Sequence, residues 1–518
     1  MEFPRDYNAA VDFLDRHLAE GRAGKTAFVD PERRLTYGEL AAEARRLGNL
    51  LAAAGIGREA RVALLLHDTV DFPVVFWGAV RAGVVPVALN TLLTTEQYAY
   101  ILRDTRARAL FVSAPLLPTV APLLAGLPGL RQVFVLGGAA GQDGGPHTAF
   151  RPALEAQPDE LAPAETCADE VAFWLYSSGS TGQPKGVKHV HSSLMATARL
   201  YGRGLLGLAE DDLVYSAAKL FFAYGLGNAM SFPMAVGATA ALLPGRPTPA
   251  AVFETLKAQG PTVFCGVPTL YAAILADPAC APEAGSARLR LCVSAGEALP
   301  EEVGKAWRAR FGIDILDGVG STEMLHIFLS NAPGAVRYGT SGRAVPGYEL
   351  RLVEEDGGEV GPGEIGELLV RGPSAAEGYW NQREKSRRTF EGEWTRTGDK
   401  FTRDADGTYV YCGRTDDMFK VSGIWVSPFE VESALMSHPA VLEAAVVPAE
   451  DAEGLLKPKA FVVLKPEAGE GAGADLEAAL KALVKDKAGP WKYPRWIAFV
   501  PDLPKTATGK VQRFKLRG

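Results

Sequence analysis

The stretch Tyr176-Ser-Ser-Gly-Ser-Thr-Gly-Gln-Pro-Lys-Gly-Val187 sets small hydroxyl side chains and glycines ahead of one lysine, directly after the apolar run Val171 to Leu175. Residues this small let backbone N–H groups wrap around phosphate oxygens, and Lys185 supplies a positive charge, so the chemistry indicated is the gripping of a phosphate. The loop is not of Walker A type, because the G-x-x-x-x-G-K-[ST] spacing is absent and Gly186 follows Lys185. A merely flexible Ser/Gly loop is the alternative, and it fits poorly with the order of the segment. Two other strings fail. Gly361 to Gly366 satisfies G-x-G-x-x-G, yet no helix pattern follows it and it falls in a turn between strands. Gly339-Thr-Ser341-Gly-Arg343 misses the esterase elbow at its last position.

Such a loop needs a scaffold, and a chain of 518 residues is long enough for two or more domains. With 47% hydrophobic and 22% charged residues the chain is neither disordered nor fibrous. A net charge of −7 and a pI near 5.7 speak against nucleic-acid binding, which rests on clustered Lys and Arg. Five cysteines (Cys167, Cys265, Cys280, Cys292, Cys412) form no CxxC pair and are odd in number, so neither a disulfide framework nor a zinc site is indicated, and a cytoplasmic location is expected. The acidic N-terminus lacks the basic flank and apolar core of a signal peptide. From Leu220 to Gly245 no residue is charged, but Pro233, Pro244 and Asn228 interrupt the run. It reads as a buried sheet-and-loop region, not a membrane span.

Thr36 followed by Glu39 reads as a capping box, which starts a helix at Tyr37 with Leu40, Ala44, Leu47 and Leu51 on one face. Apolar runs at Val62 to Leu66, Val84 to Leu89, Leu110 to Val112 and Val133 to Leu136 alternate with helical stretches, the pattern of βα units around a largely parallel sheet. Past Ala344 the texture turns antiparallel, with strands expected at Glu349 to Val353 and Glu367 to Val370. From Asp416 onward a small α+β portion is expected, with helices at Pro428 to Met436 and Leu476 to Val484 and strands at Ala444 to Val447 and Ala460 to Val463.

Four motifs together resemble those of the adenylate-forming superfamily: acyl-CoA synthetases, peptide-synthetase adenylation domains and luciferases. They are the loop at 176–187, Asp317-Gly-Val-Gly-Ser-Thr-Glu323, the pair Thr397-Gly-Asp399 and Gly413-Arg414-Thr-Asp-Asp417, and Leu503-Pro-Lys-Thr-Ala-Thr-Gly-Lys510. The resemblance covers essentially the whole chain. It implies an α/β fold, with a large N-terminal domain of parallel-rich sheets and helices (1–415) and a small mobile α+β C-terminal domain (416–518). It also implies an ATP-dependent acid–thiol ligase using ATP, Mg²⁺ and coenzyme A. Ser177, Ser178, Gly179, Ser180, Thr181, Gly182 and Lys185 would then hold the pyrophosphate part of ATP. Gly296, Glu297 and Asp317, Gly318, Val319, Gly320, Ser321 and Thr322 would surround adenine and the α-phosphate. Glu323 offers a hard oxygen to Mg²⁺. Asp399, with Arg414, would accept the ribose hydroxyls. Lys510 corresponds to the catalytic lysine, Thr322 and Glu323 joining it, and Asp416 to the hinge. Lys420, Ser422 and Gly423 would face coenzyme A.

The blocks Tyr7 to Phe13, Asp71 to Ala79, Leu89 to Leu93 and Phe221 to Asn228 are closer still to the benzoate-CoA ligase branch. By that resemblance Ala223, Tyr224, Ala295, Gly320, His326 and Ile327 line the acyl pocket. Small residues beside aromatic ones make a short, flat slot, which favours a ring over a long alkyl chain. Benzoate is the expected acid, with 4-hydroxybenzoate and 2-aminobenzoate as alternatives from the same branch. A non-catalytic sensor of nucleotide, acyl-adenylate or acyl-CoA that has kept the fold is the alternative from another class. Core packing is the alternative for each pocket residue taken singly.

Overall fold

The computed structural model describes residues 2–138, 147–177, 183–415, 417–421, 424–452, 455–465, 473–505 and 511–517. The helix Tyr37–Ala53 begins where its capping box places it, with Thr36 accepting from the Glu39 backbone and the Glu39 side chain reaching back to the Thr36 N–H. Its neighbour Asp71–Arg81 buries every residue from Phe72 to Arg81, as expected of a helix apolar on all faces. The two helices touch closely: a Cβ added at Gly78 would sit 2.6 Å from Leu47 Cβ and 2.7 Å from the Ala44 carbonyl.

One core cluster joins these helices to two large sheets. The eight-stranded sheet runs in the order Gly378–Tyr379, Lys185–Val190, Val171–Ser177, Val85–Ala88, Arg61–Leu65, Ala109–Ser113, Gln132–Leu136, Thr148–Ala149. Its middle strands are parallel, and Val171–Ser177 turns back on Lys185–Val190 as an antiparallel hairpin. The nine-stranded sheet is parallel through Leu213–Ser216, Val263–Gly266, Leu291–Ala295 and Ile315–Gly320, then turns antiparallel at Ile327–Ser330. Parallel strands buried on both faces account for the short, continuous apolar runs in the sequence.

The antiparallel texture past Ala344 is a five-stranded sheet built from Glu349–Val353, Gly366–Arg371, Phe390–Glu391, Trp394–Arg403 and Tyr409–Arg414. Gly361 to Ile365 lies in the connection between the first two, as expected, and Gly366 opens the second strand. The last part of the chain has its own core of Val431, Leu435, Val446, Val462, Leu480 and Val484. It comprises the strands Val441–Glu450, Leu456–Leu464 and Trp496–Phe499 and the helices Pro428–Met436 and Ala474–Ala488.

One expectation needs correcting. The uncharged run from Leu220 to Gly245 is mostly helical: Ala223–Leu226, a π-helical turn at Gly227–Ser231 and Phe232–Val236 precede the single strand Thr239–Ala241. Nearly every face of the stretch is buried, so no polar stripe marks its helical period. Among the described residues no helix is long and apolar enough to cross a membrane.

Candidate active site

A cleft of about 2780 Å³ opens where the strands Leu291–Ala295 and Ile315–Gly320 end, and the antiparallel sheet and the C-terminal part also contribute to its walls. The carboxyl ends of parallel strands are where open α/β sheets bind ligands. Ser177 and Lys185 lie opposite each other in the hairpin and both line the cleft. Ser178, Gly179, Ser180, Thr181 and Gly182, expected from the sequence to hold phosphate, lie outside the described residues.

Lys185 reaches the carboxylate of Glu323 across the cleft floor, with Nζ 3.8 Å from Oε1. Tyr379 contacts both from one side: its hydroxyl donates to Glu323 Oε1 at 2.8 Å and accepts from Lys185 Nζ at 3.3 Å. The ammonium also lies 4.4 Å from the centre of the Tyr379 ring, a cation–π distance. Burial lowers the Lys185 pKa, and the Glu323 charge raises it part of the way back. Tyr379 was not singled out from sequence. It comes to the site because Gly378–Tyr379 forms the edge strand beside Lys185–Val190, 194 positions from Lys185.

The Thr322-Glu323 turn has a second support. His189, buried and stacked on Phe173 with ring centroids 5.2 Å apart, holds the Thr322 carbonyl through Nε2 at 2.8 Å. Burial pushes this imidazole down to about 4, so it is neutral, with its proton on Nε2 in this bond. The Leu325 N–H donates to the same carbonyl at 3.1 Å, with Leu325 itself at φ +65°. A bulky residue in the left-handed region is uncommon, and here it tightens the turn that presents Glu323.

Gly296, Glu297, Gly318, Val319, Gly320 and Ser321 line the cleft together with Thr322. A Cβ at Gly320 would meet the His326 carbonyl oxygen at 2.6 Å, so this crossing of strands requires glycine. Asp317 is different: its side chain is buried outside the cleft lining, and burial raises its carboxyl well above the usual range. Asp399 and Arg414 face each other on adjacent strands, with Arg414 Nη1 donating to Asp399 Oδ1 and to the Thr397 carbonyl, each at 3.0 Å.

The six pocket candidates Ala223, Tyr224, Ala295, Gly320, His326 and Ile327 all line the cleft. His326 is buried among Tyr201, Tyr224 and Phe232, with centroids 5.4, 5.7 and 4.4 Å away, and its Nε2 donates to the Tyr224 carbonyl at 3.2 Å. Burial pushes it down to about 3, so this ring is uncharged. The Tyr224 hydroxyl is directed at backbone, 3.0 Å from the Val293 carbonyl and 3.1 Å from that of Gly266. The surroundings are therefore flat, aromatic and without charge. Asp416, Ser422, Gly423 and Lys510, and the side chain of Lys420, lie outside the described residues. Lys505 and Val511, which flank the lysine segment, pair with each other and line the cleft.

Two large α/β sheets, a small C-terminal unit and a phosphate-loop hairpin facing a carboxylate across one cleft define the adenylate-forming class of enzyme. The chain belongs to the AMP-binding enzyme family, whose profile matches residues 15–380, with the AMP-binding enzyme C-terminal domain at 430–510. It is 60% identical over 99% of its length to the 4-hydroxybenzoate–CoA/benzoate–CoA ligase of Rhodopseudomonas palustris, covering 94% of that protein. It is 57% identical over its full length to the benzoate–CoA ligase of Thauera aromatica, covering 97% of it. Among solved structures, the anthranilate CoA ligase AuaEII in complex with anthranoyl-AMP superposes with a TM-score of 0.94 at 45% identity, with 100% of this chain and 98% of that one covered.

Proposed function

We propose that this protein is an ATP-dependent benzoate–CoA ligase: it converts benzoate and ATP to benzoyl-AMP and pyrophosphate, then transfers the benzoyl group to coenzyme A with release of AMP. The observation that carries the choice of acid is His326, an uncharged imidazole packed among aromatic rings within three residues of Glu323. The flat walls suit one ring, and the hydroxyl of Tyr224 is already directed at backbone carbonyls. An apolar slot rejects an added hydroxyl only weakly, roughly 10²-fold at best, so ring-substituted benzoates are side substrates.

A carboxylate is unreactive toward a thiol because oxide would have to leave; as a mixed anhydride with AMP it carries a good leaving group. In the first half-reaction the benzoate oxygen attacks the α-phosphorus. Lys185 and the loop from Ser177 hold the pyrophosphate that departs, and Lys510 neutralises charge on the α-phosphate as it builds. Asp399, oriented by Arg414, accepts the ribose hydroxyls. A lone carboxylate such as Glu323 suits Mg²⁺, which keeps much of its water and is shared with substrate phosphates. The ion, when bound, screens the charge of the phosphates. In the second half-reaction residues 416–518 turn about Asp416, withdraw Lys510 and bring Lys420, Ser422 and Gly423 to the path of the coenzyme A thiol.

The test is release of AMP and pyrophosphate from benzoate, ATP, Mg²⁺ and coenzyme A, with kcat/KM compared for benzoate, 4-hydroxybenzoate, 2-aminobenzoate and octanoate. Octanoate as the best substrate would overturn the aryl assignment. A win for 4-hydroxybenzoate would move the protein within its branch.

A further inference from the structure

Lys185 and Glu323 form an ion pair at 3.8 Å, a separation too long for a direct hydrogen bond. The Tyr379 hydroxyl sits to one side of the pair and is bonded to both, donating to Glu323 Oε1 at 2.8 Å and accepting from Lys185 Nζ at 3.3 Å, with Thr389 Oγ1 a longer contact at 3.4 Å. We propose that Tyr379 is a positioning residue for adenylation: by bonding to both groups its hydroxyl holds the ammonium and the carboxylate short of a direct hydrogen bond, so that each stays turned toward the incoming nucleotide and not toward the other. The proposal rests on the reading above of Glu323 as the Mg²⁺ ligand and Lys185 as a phosphate holder.

Three features support it. The hydroxyl engages one carboxylate oxygen of Glu323 and leaves the other for a hard cation, which fixes the direction the carboxylate faces. The ring lies under the ammonium at 4.4 Å, a second contact that steadies Lys185 without neutralising it. The ring itself is anchored independently of the hydroxyl, by packing with Val187, Ala376 and Phe390 and by backbone pairing of Tyr379 with Val187. Removing the hydroxyl therefore leaves the fold and the cation–π contact in place, and lets Nζ and Oε1 close to a direct pair at about 2.8 Å. Every Mg·ATP that binds would then have to break that pair.

Tyr379→Phe tests this in the two half-reactions separately. In ATP–pyrophosphate exchange with benzoate, the apparent KM for Mg·ATP and the Mg²⁺ concentration at half-saturation should rise about tenfold, equivalent to about 1.4 kcal/mol, with kcat at saturation changed much less. Transfer from supplied benzoyl-AMP to coenzyme A and the thermal midpoint should be unchanged. A purely structural role would lower both half-reactions and the midpoint together, and that result, or an unmoved Mg·ATP dependence, overturns the proposal. Glu323→Gln, measured alongside, separates the layers. If it shifts the Mg²⁺ dependence and Tyr379→Phe does not, the proposal alone falls; if neither does, the assignment of Glu323 falls with it.

Discussion

Gly227→Ala, one methyl group, offers a sharp test of how the aryl slot is built. Gly227 has helical backbone angles, φ −64° and ψ −62°, so alanine is allowed there and by propensity alone would stabilise the helix by about 1 kcal/mol. The added Cβ would, however, lie 2.4 Å from Cδ2 and 2.7 Å from Nε2 of His326, and 2.9 Å from Cζ of Phe232. Phe232 is fully buried, and His326 is closed in by Tyr201, Tyr224 and Phe232 and tied to the Tyr224 carbonyl, so the histidine can give way only toward the cleft it lines. Overpacking of this kind costs ~1–3 kcal/mol, and losing the histidine hydrogen bond adds ~0.5–1.5 kcal/mol. The clash outweighs the propensity gain, and His326 must tilt into the space meant for the benzoate ring. The expected result is a fall of at least about tenfold in kcat/KM for benzoate, with the KM for ATP nearly unchanged. The paired variant Gly227→Ala/His326→Ala gives the methyl group room, so it should be no worse than His326→Ala alone, a coupling of about 1 kcal/mol or more. Wild-type kcat/KM in the single variant, or strict additivity in the pair, would refute the reasoning.

Lys510→Ala should abolish benzoyl-AMP formation and largely spare transfer from supplied benzoyl-AMP, as read in single-turnover assays of each half-reaction; equal loss in both contradicts the assigned role. Asp416→Pro should do the reverse, because proline fixes φ and blocks the torsion change of a hinge; normal overall turnover would remove Asp416 from that position. Stability should fall as the solution is acidified below about pH 6.5. His189, His191 and His326 are held by burial at about 4, 4 and 3, below the ordinary imidazole value, so the unfolded chain binds protons that the folded one refuses. Their stabilisation is complete above the unfolded value and is lost at about 1.4 kcal/mol per pH unit per histidine as pH falls toward the folded ones. Asp68, raised to about 6 by burial, and the buried Asp317 act in the opposite sense and offset part of this. Urea denaturation at pH 7.5 and pH 5 measures the balance, and a protein more stable at pH 5 would count against it.

What the sequence determined by itself is mostly local. The capping box at Thr36 and Glu39, the helix Pro428–Met436 and the strand runs of the parallel sheets were readable because a cap and a hydrophobic period act within a few residues. The Ser/Gly loop string and Glu323 stand out as candidates because the chemistry demands particular residue types close together, and Ser177, Lys185 and Glu323 do line one cleft. Tertiary structure decided the rest. The uncharged run from Leu220 carried no period to read, since almost all of it is buried, and only packing makes it helical around Gly227. Asp317 lies one residue from cleft-lining Gly318, yet strand alternation turns its carboxyl into the core. His189 carries no mark in the sequence; its bond to the Thr322 carbonyl exists only because two sheets bring positions 133 residues apart together. Tyr379 is the clearest case. Its spacing from Lys185 and Glu323 obeys no motif, because a two-residue edge strand sets that contact and strand pairing between distant segments leaves no local period.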